Sequence, residues 1–218
     1  KSSSVPGSAI KRTNARSFGS RGACVYIGLN RSPEELGIKD YLTVITESLD
    51  SKTEFLKMRA IDTNNNQTAV CLNIANPDCS PQGTSILVMN ILYTDNCWAN
   101  VEPKDYFSAK DMLAARAVAN YEKATGITIH NNIEELEVAT PVTFARFTGT
   151  PQGTVLGYLP LPWDDVISRM MTEESDSDTE GLRFCGSWGT LGSGISSVIE
   201  NGRNAAYATI GDIENEKE

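Results

Sequence analysis

Short apolar runs rich in β-branched residues alternate with polar breaks through the first hundred residues, a pattern of strands and turns. "ACVYIGL" (23–29), "YLTVI" (41–45), "TAVCLNIA" (68–75) and "TSILVMNILY" (84–93) each read as a strand. Between the last two lies "NPDCSPQG", loaded with turn formers, so the alternation predicts a mostly antiparallel sheet. Helical spacing appears in "LDSKTEFLKMRAI" (49–61), with Asp50 or Ser51 as cap. A long helix is predicted at about 105–124, with Phe107, Leu113, Val118 and Tyr121 as its apolar stripe and Gly126 as its stop. "TPVTFARF" (140–147) opens with Thr140 as cap and Pro141 at the first helical position. "GTVLGYL" (153–159) reads as a strand, and "NNIEELEVA" around Glu134 and Glu135 as a solvated turn. The acid-rich "MTEESDSDTEG" (171–181) reads as a mobile surface loop, with Glu173–Glu180 lacking the spacing of a calcium loop.

Composition narrows the function. The 218 residues are 40% hydrophobic and 22% charged, ordinary for a globular protein. A net charge of −9 argues against nucleic acid or an anionic membrane as partner. No run approaches the ~20 apolar residues of a membrane span, so membrane contact is not indicated. The five bases Lys1, Lys11, Arg12, Arg16 and Arg21 meet no acid within residues 1–22, which suggests a flexible linker or processed end. Five cysteines (Cys24, Cys71, Cys79, Cys97, Cys185) without CxxC spacing suit reduced thiols and a cytoplasmic setting. The single histidine, His130, rules out a multi-histidine metal site, so no metal is expected. Its neighbours suggest a structural or surface role.

The strongest chemical signal is "RFCGSWGTLGSGISSVIENGRNAA" (183–206), with five glycines in twenty-four residues, four of them ahead of the last helix. "LRFCG" has the pattern of a buried strand, "SWGTLGSG" that of an unobstructed turn, and "ISSVIENGRNAAYATI" that of a helix. Ile195, Val198/Ile199, Ala205/Ala206 and Ile210 would form that helix's inner face. Two readings stay open on these residues alone. One is a plain strand–turn–helix, and the other is a backbone cradle whose N–H groups and positive dipole end face an anion.

"GLRFCGSWGTLGSGISSVIENGRNAA" (181–206) resembles the C-terminal flavin-contacting signature of FAD-dependent oxidoreductases in the amine oxidase superfamily. It is most similar to the phytoene desaturase, carotenoid isomerase and retinol saturase group. "EVATPVTFARFTGTPQGTVLGY" (137–158) resembles the block upstream of that signature, and "ACVYIGLNRSPEELGI" (23–38) the opening of the substrate domain. The likeness thus runs in consistent order over roughly residues 23–210, with the two C-terminal blocks the more specific.

The resemblance implies an α+β chain: a mixed, mostly antiparallel substrate-domain sheet with helices, then a strand, glycine turn and helix completing an FAD-binding Rossmann-like domain. The implied divisions are a linker at 1–22, a substrate-binding domain at 23–145, a return segment at 146–210 and an acidic tail at 211–218. FAD is the implied cofactor. Gly192, Gly194, Ile195 and Ser196 would meet the flavin ring end, and Gly186 and Ser187 the ribityl or phosphate part. Many relatives carry an acid where Ser187 stands. Tyr158 and Arg146 lie in the resembling block, but no catalytic residue is assigned. The superfamily's N-terminal GxGxxG turn is not found, the nearest string being "GTLGSG". The chain is therefore expected to be a C-terminal portion, with a second polypeptide carrying GxGxxG as partner. The implied activity is hydride exchange between flavin and an apolar, polyene-like substrate, by desaturation, saturation or isomerisation. A flavin amine or amino-acid oxidase and a non-catalytic flavoprotein-derived subunit are the alternatives.

Overall fold

The computed structural model describes residues 5–159, 181–189 and 191–215. The acid-rich stretch Glu173–Glu180 lies outside them. Two compact units result: Ser20–Val155, and a second formed by residues up to Gly19 together with those from Leu156 onward.

The first unit is built on five antiparallel strands: β1 (Arg21–Leu29), β2 (Leu42–Ile45), β3 (Gln67–Cys71), β4 (Ser85–Tyr93) and β5 (Ile133–Ala139). Their order is β2-β3-β4-β1-β5. The mostly antiparallel sheet expected from the turn-rich alternation is present, with every pairing antiparallel. Period-two burial sends Ala23, Val25, Ile27 and Leu29 of β1, and Leu87, Met89, Ile91 and Tyr93 of β4, to one face.

Short helices in this unit are α2 (Pro33–Leu36), α3 (Ser51–Lys57), α4 (Leu72–Ala75) and α6 (Pro141–Thr148). In the second unit, α1 spans Gly7–Asn14, within the basic stretch expected to be flexible. Between β4 and β5 runs α5 (Tyr106–Thr125), which packs an alanine-rich ridge into the core. Ala109, Leu113, Ala114, Ala117, Val118 and Tyr121 are buried, while Phe107, expected in the stripe, is 72% exposed. Small residues give that ridge its closeness, and Gln67 of β3 donates to the Ala117 carbonyl at 2.9 Å. Gly126 stops the helix in the left-handed region, φ 73°, as expected. Thr140 caps α6 as predicted, and a capping box with Thr143 is added to it, Thr140 itself being buried and bonded to the Tyr106 hydroxyl at 2.6 Å.

Three expectations need correction. Ile133–Ala139 is a strand, not a solvated turn; its glutamates face water on an edge, which hides the alternation. Of "TAVCLNIA", only the first part is strand, since α4 follows at once. "GTVLGYL" forms only isolated bridges at Thr154 and Tyr158, too short to count as a strand.

His130 has a structural partner. Glu122 Oε1 accepts the N–H groups of Ile129 (2.7 Å) and His130 (2.8 Å) and meets His130 Nδ1 at 2.9 Å. Burial opposes charge on this carboxyl, but those backbone donors and the imidazole outweigh it and hold it below its usual value. A lowered folded-state pKa contributes stability above the unfolded value, lost as pH falls through the folded one. Glu122→Gln is therefore expected to lower the urea midpoint at pH 7. That difference should shrink once pH drops below about 4.3, the ordinary glutamate value, in paired melts at pH 7 and pH 3.5.

Candidate functional site

The glycine segment forms a tight turn followed by α7 (Ile195–Asn215). Gly186 (φ 68°), Gly192 (φ 76°) and Gly194 (φ 110°) are all left-handed, which explains why glycine is needed there. A buried helix residue, Asn201, holds the turn closed. Its Nδ2 donates to the carbonyls of Gly186 (2.8 Å) and Gly192 (3.2 Å), and its Oδ1 accepts the Leu191 N–H at 3.1 Å. Gly189 leaves room for it, because a Cβ there would come within 2.5 Å of the Asn201 amide. Ser187 faces inward by its backbone, its carbonyl lying 2.1 Å from where a Cβ on Gly157 would sit. Trp188 packs edge-on to Tyr158 at 4.9 Å between centroids, and Phe18 stacks on Tyr158 at 6.0 Å.

The outer rim of the turn is open. A Cβ on Gly186 or Gly194 would meet no heavy atom within 4 Å. Gly194 O accepts from Val198 N at 2.9 Å. The N–H groups of Ile195, Ser196 and Ser197 thus stand in the first helical turn, where no intrahelical acceptor exists. Ser196 is exposed and Ile195 is 81% exposed. Gly194, Ile195 and Ser196 are exposed, while Gly186, Ser187 and Gly192 are half-buried, with the Gly186 and Gly192 carbonyls turned to Asn201.

Two further expectations are corrected here. "LRFCG" makes no ladder among the described residues, since a strand needs a neighbour to pair with. The expected inner face of α7 holds only in part: Val198 and Ala205 are half-buried on the side of Asn201, whereas Ala206 is exposed and Ile195, Ile199 and Ile210 are 81%, 68% and 50% exposed, with Ile213 (49%) beside them. Asn201 and its neighbours face in instead. Sequence reading missed Asn201, because both asparagines of "ENGRN", Asn201 and Asn204, have the look of surface residues. Arg146 is exposed, its guanidinium 5.9 Å from the Phe147 ring.

In the first unit, the sheet face away from α5 carries two contrasting rows. Leu42, Val70, Val88 and Tyr26 lie side by side across four strands, with Glu137 next in register on β5. The neighbouring row is Val44, Thr68, Asn90 and Cys24, ending at Ala139. Leu42, Val44 and Tyr26 are 50%, 68% and 41% exposed, so this apolar face is open. Cys24 Sγ donates to Asn90 Oδ1 at 3.1 Å, and Asn90 Nδ2 donates to Thr68 Oγ1 at 3.4 Å. Burial pushes the Cys24 thiol up, against a smaller effect of Tyr26, so it stays a protonated donor and not a nucleophilic thiolate. All five cysteines are free thiols. Among the described residues no cluster of three or more His, Cys, Asp or Glu could hold a metal ion. Nor is any described helix long and apolar enough to cross a membrane.

No protein-family profile matches the chain. Over 144 residues, 66% of its length, the chain is 28% identical to the chloroplastic prolycopene isomerase of Arabidopsis thaliana. It spans about a quarter of that curated relative's length (24%). The similarity is distant and partial.

Proposed function

We propose that this chain is the C-terminal portion of an FAD-dependent oxidoreductase acting on an apolar, polyene-like substrate. The observation that carries the proposal is the rim of the glycine turn, where Gly186 and Gly194 leave open backbone beside the N-terminus of α7. These residues fit FAD: left-handed glycines let a ring system come close, and the N–H groups of Ile195–Ser197 with the helix dipole favour negative charge. Bound FAD would supply hydride exchange with carbon. Gly192, Gly194, Ile195 and Ser196 would hold and orient it at the ring end, with Gly186 towards the ribityl part. Ser187 would lie with Gly186 at the ribityl or phosphate part, its backbone packed against Gly157.

The similarity to a prolycopene isomerase supports an apolar, polyene-like substrate, as does the open face around Leu42, Val70, Val88 and Tyr26. Residues outside this chain would provide the nucleotide-phosphate turn, on a second polypeptide carrying GxGxxG. The outward isoleucines of α7 (Ile195, Ile199, Ile210, Ile213) offer such a partner an apolar surface.

A visible spectrum and mass spectrometry of the native assembly test this reading directly. Oxidised-flavin bands are expected, with FAD released on denaturation and a second polypeptide beside the 23.7 kDa chain. Absence of flavin from the native assembly overturns the cofactor. Stoichiometric FAD on a lone 23.7 kDa species removes the second polypeptide. Gly194→Val should reduce retained FAD at least about tenfold, since a branched Cβ both fills the open rim and resists φ 110°. Circular dichroism would verify that α7 persists, and unchanged flavin content would remove Gly194 from the site.

A further inference from the structure

We infer that the outer edge of β2 pairs with the same edge of a second copy of this chain, antiparallel and centred on Thr43, joining two sheets into one. The inference stands apart from the flavin reading and adds an interface on the sheet unit.

A sheet edge offers unpaired N–H and C=O groups, and proteins that keep an edge free guard it with charge, proline or a bulge. The two edges of this sheet differ in that respect. On β5, Glu134, Glu135 and Glu137 are exposed and serve as guards. β2 is the other edge, and its residues Leu42, Thr43, Val44 and Ile45 include no charge, no proline and no bulge. Leu42 and Val44 are 50% and 68% exposed. Apolar surface continues past the strand to Leu49, which is almost fully exposed, and to Phe55 and Leu56 of α3, both half-exposed. Lys57 Nζ donates to Glu47 Oε2 at 2.6 Å, which ties α3 to the end of β2.

The ladder fixes the register. Cys71 N–H donates to Tyr41 O at 2.9 Å, and successive antiparallel pairs alternate between bonded and non-bonded. Tyr41, Thr43 and Ile45 therefore direct their backbone groups to β3, while those of Leu42 and Val44 point outward. A second copy can bond only to the outward set. Centring on Thr43 sets Leu42 against Val44 of the second copy and Val44 against its Leu42, which makes four backbone hydrogen bonds. The same register places Lys39 opposite Glu47, a cross-strand pair of opposite charge. Centring on Leu42 would put Asp40 against Val44, and centring on Val44 would put Leu42 against Thr46. Either shift loses the apolar pairs and the match of Lys39 with Glu47. Such self-complementarity is what a twofold dimer requires, and it selects a second copy as the occupant.

Sedimentation of the full 218-residue chain tests the dimer, which should dissociate in the micromolar range expected of a small interface. Val44→Pro removes one outward N–H from each copy without touching the ladder to β3, so association should weaken at least about tenfold. Val44→Lys, which places a guard on the edge, should act the same way, and thermal melting would verify that both variants fold. Hydrogen exchange reads the alternation. Protection of the Leu42 and Val44 amides should rise with concentration, while the Thr43 and Ile45 amides, bonded to β3, should be protected throughout. With oxidised glutathione as oxidant, Thr43→Cys should form an intermolecular disulfide, since a non-bonded antiparallel pair stands about 4.5 Å apart, within disulfide reach. Leu42→Cys should not, because it faces Val44. A monomer at about 100 µM, well above a micromolar dissociation constant, overturns the inference. So does a dimer that survives both Val44 variants, cross-linking at position 42 and not at 43, or protection of Leu42 and Val44 by a different polypeptide in the native assembly. Flavin content is measured separately, so the cofactor proposal stands or falls on its own.

Discussion

Gly153→Ala is expected to destabilise the sheet unit by about 3 kcal/mol or more, the sum of left-handed strain and forced backbone displacement. Gly153 sits at φ 66°, and a Cβ there would lie 1.9 Å from the Pro141 carbonyl oxygen and 2.5 Å from its carbon. Both are backbone atoms at the start of α6, so no side-chain rotation relieves the clash. The turn itself is fixed from several sides. Gly153 N–H donates to Thr150 O at 3.2 Å and Thr154 N–H to Pro151 O at 3.1 Å. Buried Arg21 reaches across from β1 to the Gln152 side chain and donates to Thr94 O at 3.0 Å. Gly149→Ala is the matched control. Gly149 is also left-handed, at φ 71°, but has nothing within 4 Å of its Cβ position, so it should lose only about 1–2 kcal/mol. Urea melts of both variants isolate the contact term. Equal midpoints would show that the close approach of residues 141 and 153 does not hold in solution.

What the sequence made legible follows the physics of each element. The strands at 23–29 and 84–93 declare themselves because both rows of side chains are apolar enough to stand out from flanking turns. The strand at 133–139 does not, since Glu134, Glu135 and Glu137 occupy an exposed edge, where charge guards against unwanted pairing. In α5, a pattern search weights Phe107, yet the close helix–sheet contact is made by alanines, whose signal is weak. Periodicity in α7 shows that an apolar face exists but not whether anything covers it. Here the isoleucines are outward. Left-handed glycines are legible as glycines, but the side chain that fastens them is not. Asn201 works through backbone carbonyls brought near only by folding, and no spacing rule marks it.

Asn201→Leu is expected to open the glycine turn, with a local loss of about 3 kcal/mol, because Leu191 N–H and the Gly192 carbonyl lose their partner in a buried place and the Gly186 carbonyl keeps only the Gly189 N–H. Asn201 is only 3% exposed, so water cannot readily replace the bonds to Gly186, Leu191 and Gly192. Leucine matches the volume closely, which removes the bonds without leaving a cavity. Asn201→Asp should be as damaging by a different route. Its carboxylate keeps an acceptor for Leu191 N–H but sets negative charge against the carbonyl oxygens of Gly186 and Gly192. Hydrogen exchange at the Leu191 amide gives the direct measure, and protection there should fall roughly a hundredfold or more for a loss of this size. Protection at the Ile27 and Met89 amides, in the separate sheet unit, should be unchanged. Flavin retention then becomes a second, independent readout. If the turn cradles FAD, occupancy falls together with Leu191 protection in both variants. If Leu191 exchange rises while flavin content holds, the turn is a structural staple and the cofactor is bound elsewhere. Unchanged exchange at Leu191 in Asn201→Leu would show that Asn201 does not fasten the turn.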